Sequence, residues 1–224
     1  MVPGARLTVL GKQGAGKGTQ AIRLSRHYVV PHVSTGDAFR AAVRSGSEFG
    51  TAARSYLDAG ELVPDEVVNG VVADHLTNDD NTRRGFVLDG YPRTVHQAEA
   101  LAEMLEPQTL DLALNLVIDT EHVLARLASR RVCIDCGANY SATDNPPRVK
   151  GICDVCGGEV VQRDDDTEVA IRRRLELYET ETAPLISWYC ARGLLAEVEA
   201  LGSPDEVTAR LVSEIDRRKV QATL

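Results

Sequence analysis

Apolar and polar positions are arranged in blocks along the chain, and these blocks predict strands that alternate with helices. Continuous apolar runs, typical of strands buried on both faces, occupy residues 7–10, 86–88, 112–118 and 194–198. Helical periodicity predicts helices over residues 16–27, 37–45, 48–59, 64–76, 94–105, 121–130, 167–192 and 205–218. The alternation predicts an α/β fold, a doubly wound parallel sheet with helices on both faces.

One block departs from this pattern. Between about residues 131 and 166 the composition shifts, and Cys, Gly, Pro and Asp are concentrated there. We interpret the block as an insertion into a single main domain, because 224 residues suit one α/β domain with insertions.

A glycine-rich turn, GKQGAGKGTQ, joins the first predicted strand to the first predicted helix at residues 11–20. Gly11, Gly16 and Lys17 satisfy the P-loop spacing G-x-x-x-x-G-K, but the hydroxyl comes one residue late, at Thr19. Backbone N–H groups and a helix N-terminus suit phosphate oxygens, while the lysine adds a full charge and the threonine a hydroxyl for phosphate or Mg²⁺. A plain glycine turn is the alternative, which the combination of strand, loop, lysine and helix disfavours. The sequence therefore predicts a P-loop NTPase fold that binds nucleotide phosphates.

An acidic residue follows the second strand, in the run Leu88-Asp89-Gly90-Tyr91-Pro92-Arg93. A carboxylate at the end of a strand beside the phosphate loop can hold Mg²⁺ through its water shell. The alternative is that Asp89 only caps the turn that follows.

Arginines bracket the inserted block. Arg126, Arg130 and Arg131 are predicted along one helix before it, Arg163 closes it, and Arg172, Arg173 and Arg174 begin the next helix. Each alone is as well explained by a solvated surface position, but together they could supply the bidentate donors that the phosphates of two nucleotides need. Because three consecutive helical residues point in different directions, at least one of residues 172–174 should face solvent.

Four cysteines form two C-x-x-C pairs, Cys133 with Cys136 and Cys153 with Cys156. Two such pairs can complete the tetrahedral sulfur shell of a structural Zn²⁺, although iron is also compatible with four thiolates. A redox dithiol is the alternative, and it normally occurs as a single pair. Cys190 is expected to be an ordinary buried thiol.

Composition narrows the function classes. With 33 acidic and 25 basic residues, the net charge of −8 disfavours broad binding to nucleic acid or to an acidic membrane surface. The first residues lack the apolar segment of a signal peptide, and no run reaches the length of a membrane span, so we expect a cytoplasmic protein.

The motifs taken in order resemble the adenylate kinase family, specifically its long form with a zinc-binding lid. The resemblance spans nearly the whole chain. It rests on six stretches: residues 14–20, Ser34-Thr35-Gly36-Asp37 with Arg40, residues 88–94 with Gln97, Arg130-Arg131, the four cysteines, and Gln162-Arg163-Asp164-Asp165-Asp166. It implies a core with two mobile inserts, a nucleoside monophosphate segment at residues 34–63 and a lid at residues 129–166. The implied reaction is ATP + AMP ⇌ 2 ADP, carried out by a monomer with Mg²⁺ and structural Zn²⁺ and without nucleic-acid or membrane partners.

The resemblance also implies roles for individual residues. The AMP side would comprise Thr35, Arg40, Glu61, Leu62, Val63, Gly90, Tyr91, Pro92, Arg93, Gln97, Arg163 and Arg174, with Gln97 reading the adenine edge. The ATP side would comprise Gly14, Ala15, Gly16, Lys17, Gly18, Thr19, Arg126, Arg130, Asn139, Tyr140 and Ser203. Lys17, Asp89, Arg93, Arg130, Arg163 and Arg174 would serve the transfer itself, and Cys133, Cys136, Cys153 and Cys156 would hold the metal.

Three other functions fit parts of the sequence. A kinase for another nucleoside monophosphate, such as UMP or CMP, shares the phosphate loop, but the long cysteine-bearing lid argues against it. A zinc-ribbon nucleic-acid-binding protein should be basic and aromatic-rich, whereas this chain is acidic and only 4% aromatic. A P-loop GTPase should carry an N-K-x-D motif, which the sequence lacks.

The phosphate loop departs from the family at two positions. Lys12 and Gln13 stand where the family usually has a small residue followed by proline, so the sequence leaves the purpose of this pair open.

Overall fold

The chain alternates between strands and helices from end to end. A computed structural model describes residues 4–46, 48–78, 80–143, 145–163 and 166–222. In chain order the elements are β1 (Arg6–Gly11), α1 (Lys17–Tyr28), β2 (His32–Ser34), α2 (Thr35–Ser45), α3 (Glu48–Ala59), α4 (Asp65–Asn78), a 3₁₀ turn (Asp80–Arg84), β3 (Phe86–Asp89), α5 (Val95–Leu105), β4 (Leu112–Val117), α6 (Thr120–Ser129), β5 (Arg130–Cys133), β6 (Asn139–Ser141), β7 (Val160–Val161), α7 (Glu168–Leu177), a π-helical turn (Tyr178–Thr182), α8 (Pro184–Ala191), β8 (Leu195–Glu199) and α9 (Pro204–Ala222).

The main sheet confirms the predicted parallel α/β architecture. Its five strands are parallel and lie in the order β2-β3-β1-β4-β8, so β1 is central. The register places Val9 of β1 opposite Asp89, the last residue of β3. Because parallel strands end at the same edge, this register brings Asp89 beside the loop that follows β1.

Alternate residues of the buried strands face two separate hydrophobic clusters. Leu7 of β1 and Leu114 of β4 pack with α1, α6 and α9 on one side of the sheet. Leu10 and Leu88 pack with α4, α5 and α8 on the other side. Both faces are therefore covered, which explains why the strands read as unbroken apolar runs. Within the described ranges, no helix combines the length and apolar character needed to cross a bilayer.

The cysteine-rich block folds as a small unit with its own sheet. Antiparallel strands lie in the order β6-β5-β7, and the buried residues at their centre are Cys133, Tyr140 and Cys153. Asp144, Asp164 and Asp165 of this block lie outside the described residues, as does Ser47 of the 34–63 segment.

Two predicted helices differ from those in the structure. Helix α6 ends at Ser129, so Arg130 and Arg131 begin β5 instead of continuing the helix. The helix predicted over residues 167–192 is interrupted by the π-helical turn, in which Ala183 N–H bonds to the carbonyl of Tyr178. Pro184 then starts α8 at the first helical position, where its missing N–H costs nothing.

Candidate active site

The carboxyl ends of β1, β2 and β3 open onto a cleft of about 1230 Å³. Ordinary small-ligand pockets measure roughly 300–1000 Å³, so this cleft has room for more than one such ligand. Nearly all of the predicted site residues line it. They are Gly14, Ala15, Gly16, Lys17, Gly18, Thr19, Arg126, Arg130, Asn139, Tyr140 and Ser203 from the predicted ATP side, Thr35, Arg40, Glu61, Leu62, Val63, Gly90, Pro92, Arg93, Gln97, Arg163 and Arg174 from the predicted AMP side, and Asp89.

Tyr91 is the exception, and its side chain does not reach the cleft. It is fully buried in the core, where its hydroxyl lies 2.8 Å from Asn69 Oδ1 and 3.0 Å from the carbonyl oxygen of Gln97. Its own carbonyl accepts a hydrogen bond from the Thr8 hydroxyl. The aromatic ring therefore supports the loop after β3 and does not contribute to a ligand surface.

The phosphate loop ends in a left-handed residue. Gly16 caps α1 with a φ of 99°, a conformation that a side chain would strain, and it makes no side-chain cap to the helix. The first-turn N–H groups of α1 therefore have no capping side chain from the N-cap position, which suits an anion.

Lys17 folds back over this loop. Its ammonium group donates to the carbonyls of Gly11 and Lys12, at 2.7 and 2.9 Å. Burial lowers the pKa of Lys17 to about 8, opposed by the attraction of Asp89 and reinforced by the repulsion of Arg93 and Arg130. An anionic ligand in the cleft would offset both the burial and the repulsion.

Asp89 provides a carboxylate at the edge of this cationic region. A Cβ on residue 18 would lie 3.1 Å from Asp89 Oδ2, so the glycine lets the carboxylate approach the start of α1 closely. His32 Nε2 lies 3.8 Å from the same oxygen and has no hydrogen-bond partner in the part of the chain that the structure describes. Hard oxygen donors of this kind beside phosphate groups fit Mg²⁺.

Arg93 is held by the backbone of the loop after β3. Its Nε donates to the carbonyl of Gly90, which also accepts from the Thr35 hydroxyl. Burial lowers the pKa of Arg93 to about 10, and repulsion from Arg174 adds to the effect. A guanidinium in this state gains from an anionic partner, as the neighbouring lysine does.

Two further arginines meet at one buried carboxylate. Arg130 bonds Asp166 through Nε at 2.8 Å and through Nη2, and Arg174 Nη1 lies 3.7 Å from Asp166 Oδ1. The Asp166 side chain is wholly inaccessible to solvent. Arg174 also donates to the carbonyl of Leu57, which joins α7 to the 34–63 segment.

The remaining arginines of these two runs have partners within the protein. Arg131 donates to the carbonyls of Arg130 and Ala128. Arg172 is exposed and pairs with Glu168, which confirms that one member of the 172–174 run faces solvent, while Arg173 pairs with Glu61.

The Gln97 side chain makes hydrogen bonds that the sequence analysis did not predict. Its Oε1 accepts from the Arg93 N–H at 2.7 Å, and its Nε2 donates to Asp65 Oδ1 at 2.6 Å. Asp65 also accepts from the Thr94 hydroxyl. One hydrogen and one lone pair of the amide remain for a ligand, so Asp65 orients the side chain predicted to read a base.

The predicted ATP side includes groups already bonded within the protein. Arg126 donates to the carbonyl of Ala200 at 2.9 Å, which holds the loop before α9 close to the phosphate loop. Ser203 and Glu206 form a reciprocal cap at the start of α9, so the Ser203 hydroxyl serves the helix. The Tyr140 hydroxyl lies 3.3 Å from Cys153 Sγ and accepts from the Asp154 N–H, so it serves the cysteine cluster.

The four predicted metal ligands converge at one point. Their sulfur atoms all lie within 4.8 Å of one another, and the pairs Cys133–Cys156 and Cys136–Cys153 are each 3.5 Å apart. Zn–S bonds of about 2.3 Å in a tetrahedron require S···S separations of roughly 3.8 Å. The cluster therefore fits a four-coordinate ion with no open position. Cys190 lies apart from it and is exposed, contrary to the expectation that it is buried.

A sequence model described as adenylate kinase matches residues 9–194 of this chain. Curated relatives match over almost their entire length. An adenylate kinase from Acidothermus cellulolyticus is 50% identical over 94% of this chain and 97% of its own. Adenylate kinases from Thermodesulfovibrio yellowstonii and Clostridium botulinum are 48% and 47% identical, over 95% and 96% of this chain and 100% of their own. A chain with this cleft, this phosphate loop and this extent of similarity belongs to the adenylate kinase family.

Proposed function

We propose that the protein catalyses reversible phosphoryl transfer from Mg-ATP to AMP, giving two ADP, and so balances the adenine nucleotides. The observation that carries the proposal is the single cleft that joins a phosphate loop to a second polar region, with buried cations lining it. A hydrolase needs one nucleotide site, whereas transfer between nucleotides needs two that face each other.

The donor triphosphate is assigned to the loop at residues 14–19. Its backbone N–H groups, the N-terminus of α1 and the Lys17 ammonium supply positive potential at short range. The adenine of ATP is assigned to the side of the cleft formed by Arg126, residues 200–203 and Asn139, all of which line it.

The acceptor AMP is assigned to the opposite side. Thr35, Arg40 and Arg93 suit its phosphate, and Gln97, fixed by Asp65, suits the edge of a base. Residues 61–63 lie against α7 through the Arg173–Glu61 pair, which places their backbone along the cleft.

The chemistry needs placement more than proton transfer. The AMP phosphate is already anionic, so it attacks without a general base, and the transferred group carries its charge on three equatorial oxygens. Lys17, Arg93, Arg130, Arg163 and Arg174 would meet this charge with fixed donors. Bound through Asp89, Mg²⁺ would neutralise charge on the donor phosphates.

Water must be kept from the transferring group. We assign this role to closure of two inserts, the nucleoside monophosphate segment at residues 34–63 and the lid at residues 129–166, over the cleft. The cytoplasmic location, the monomeric state and the lack of nucleic-acid and membrane partners stay predictions.

Transfer to another nucleoside monophosphate is the rival that the family relationship does not favour, and an acceptor screen tests the choice. We expect Mg-ATP with AMP to give ADP at least about tenfold faster than with UMP, CMP or GMP, since a base-reading amide discriminates by unpaired hydrogen bonds. Product formation is measured by chromatography. Fastest transfer to UMP or CMP would overturn the assignment to AMP.

The role of Lys17 is tested by Lys17→Met. The substitution removes a charge that stabilises the transferring group, so kcat should fall by at least about a hundredfold. Lys150→Met, at an exposed lid position, is the matched control and should keep the wild-type rate. Near-normal turnover of the Lys17 variant would refute the electrostatic role.

The lowered pKa of Lys17 predicts a pH dependence of ATP binding. Above pH 8 the free protein loses the Lys17 proton, while bound phosphates restore it, so binding takes up a proton and affinity falls as the pH rises. Calorimetry in buffers of different ionisation enthalpy should give a larger proton uptake at pH 9 than at pH 7. Lys17→Met should abolish the difference in proton uptake between pH 7 and pH 9. Equal uptake by the wild type at the two pH values would contradict the lowered pKa of Lys17.

The cysteine cluster is assigned to a structural ion, Zn²⁺ in preference to iron. Bound by four thiolates, the ion would stabilise a unit whose own core is small. Protein purified without chelator should contain about one equivalent of zinc, and Cys136→Ala should lose it and melt at a lower temperature. Cys190→Ala is the matched control. A content below about half an equivalent of zinc or iron would contradict the assignment of a structural ion.

A further inference from the structure

Lys12 and Gln13 at the start of the phosphate loop have no part in the reaction proposed above. We propose that Gln13 is a positioning residue, which acts through Asp166 to hold the Arg130 guanidinium at the phosphate site. The inference rests on the proposed function, because Arg130 is assigned to the transferring phosphoryl group there.

Asp166 joins the phosphate loop to the end of the lid segment. Gln13 Nε2 donates to Asp166 Oδ1 at 3.2 Å, across 153 positions of the chain. The same oxygen accepts from Arg130 Nη2, and Asp166 Oδ2 accepts from Arg130 Nε at 2.8 Å. The carboxylate thus holds the guanidinium in a two-point contact, and the glutamine holds the carboxylate.

Because Asp166 is buried, the hydrogen bond from Gln13 contributes to its orientation. The Asp166 side chain has no solvent access, so its orientation depends on the protein groups around it. Gln13 is a neutral donor. It restrains the carboxylate without changing the charge balance of the Arg130–Asp166 pair.

The glutamine amide is held at one end only. Its Oε1 is buried and has no hydrogen-bond partner among the described residues, while its Nε2 bonds Asp166. Gln13 also lines the cleft. Removing the bonded half of this amide would leave the buried Asp166 Oδ1 with one hydrogen-bond donor fewer.

Lys12 fixes the backbone from which Gln13 extends. Its ammonium group lies 3.0 Å from both Thr120 Oγ1 and Glu179 Oε1, which ties the loop to α6 and to the π-helical turn. Its carbonyl accepts from Lys17 and from the Ala15 N–H. These contacts fix the backbone position of Gln13 and therefore the distance that its side chain spans to Asp166.

Gln13→Met tests the inference, since it keeps length and removes the donor. We expect kcat to fall about tenfold, because a displaced guanidinium weakens transition-state stabilisation without being lost, while the KM for AMP changes less than twofold. Gln108→Met is the matched control. Gln108 is exposed, bonds Arg6 and does not line the cleft, so the kcat of this variant should stay at the wild-type value.

A double-mutant cycle with Asp166→Asn separates positioning from a general loss of structure. If Gln13 acts through Asp166, Gln13→Met should change kcat less than twofold in the Asp166→Asn background. The same tenfold loss in both backgrounds, or an unchanged kcat in the single variant, would overturn the proposal.

Gln13→Leu covers the case in which the methionine variant folds poorly. The leucine side chain cannot donate to Asp166 and adds no charge beside it, so kcat should fall about tenfold with a melting temperature near that of the wild type. Full activity of this variant at pH 8 would also overturn the proposal.

A binding measurement distinguishes failure of this inference from failure of the proposed function. If the wild type forms no ADP from ATP and AMP, the function fails, and the cycle is then read by calorimetry with Mg²⁺ and a non-hydrolysable ATP analogue. Gln13→Met should weaken the analogue at least threefold in the wild-type background and less than 1.5-fold beside Asp166→Asn. Equal effects in the two backgrounds would contradict positioning through Asp166.

Discussion

Mutual repulsion among cations in one cleft is the constraint on which this structure depends. Lys17 and Arg93 are both buried enough to lower their pKa values, and other arginines line the same space. The protein compensates locally. Asp89 and Asp166 supply buried or half-buried negative charge, and the carbonyls of Gly11, Lys12 and Gly90 accept from the lysine and from Arg93. The folded chain thereby holds a positive site ready for an anion, which is how electrostatic preorganisation works.

The parallel sheet makes that concentration of charge possible. The register that places Val9 opposite Asp89 puts the acidic end of β3 next to the loop after β1, and helices pack on both faces of the sheet. Residues far apart in sequence, such as Gln13 and Asp166, are thereby within hydrogen-bond distance of each other. The small antiparallel unit with the cysteines adds Asn139 and Tyr140 to the rim of the same cleft.

The sequence correctly predicted the strands and helices whose apolar residues follow a regular spacing. The apolar runs of β1, β3, β4 and β8 and most helices follow directly from burial on both faces. It missed β2, which has only three residues, and it extended the helix across residues 167–192 because the π-helical turn, with the sequence YETET, contains no Gly or Pro to mark a break. The contacts of individual side chains were harder to predict from the sequence. Tyr91 sits in a loop motif, and only the packing around it shows that it is buried.

The same limit applies to contacts between distant segments. Neither the Asp65–Gln97 bond nor the Gln13–Asp166 bond has a local spacing that could reveal it, since each joins residues at least 30 positions apart. The roles of the lining residues rest on the family relationship together with their placement. A glycine-rich loop, in contrast, was readable because its chemistry is carried by consecutive residues.

The π-helical turn at Tyr178–Thr182 has a consequence for the width of the cleft. Glu179 pairs with Lys12 of the phosphate loop, and three residues later the Thr182 hydroxyl donates to the carbonyl of Arg93. One wide turn of the core therefore contacts both the phosphate loop and the residue that follows the loop after β3. We expect the turn to keep these two loops at a fixed separation, so that part of the width of the cleft is set by the core.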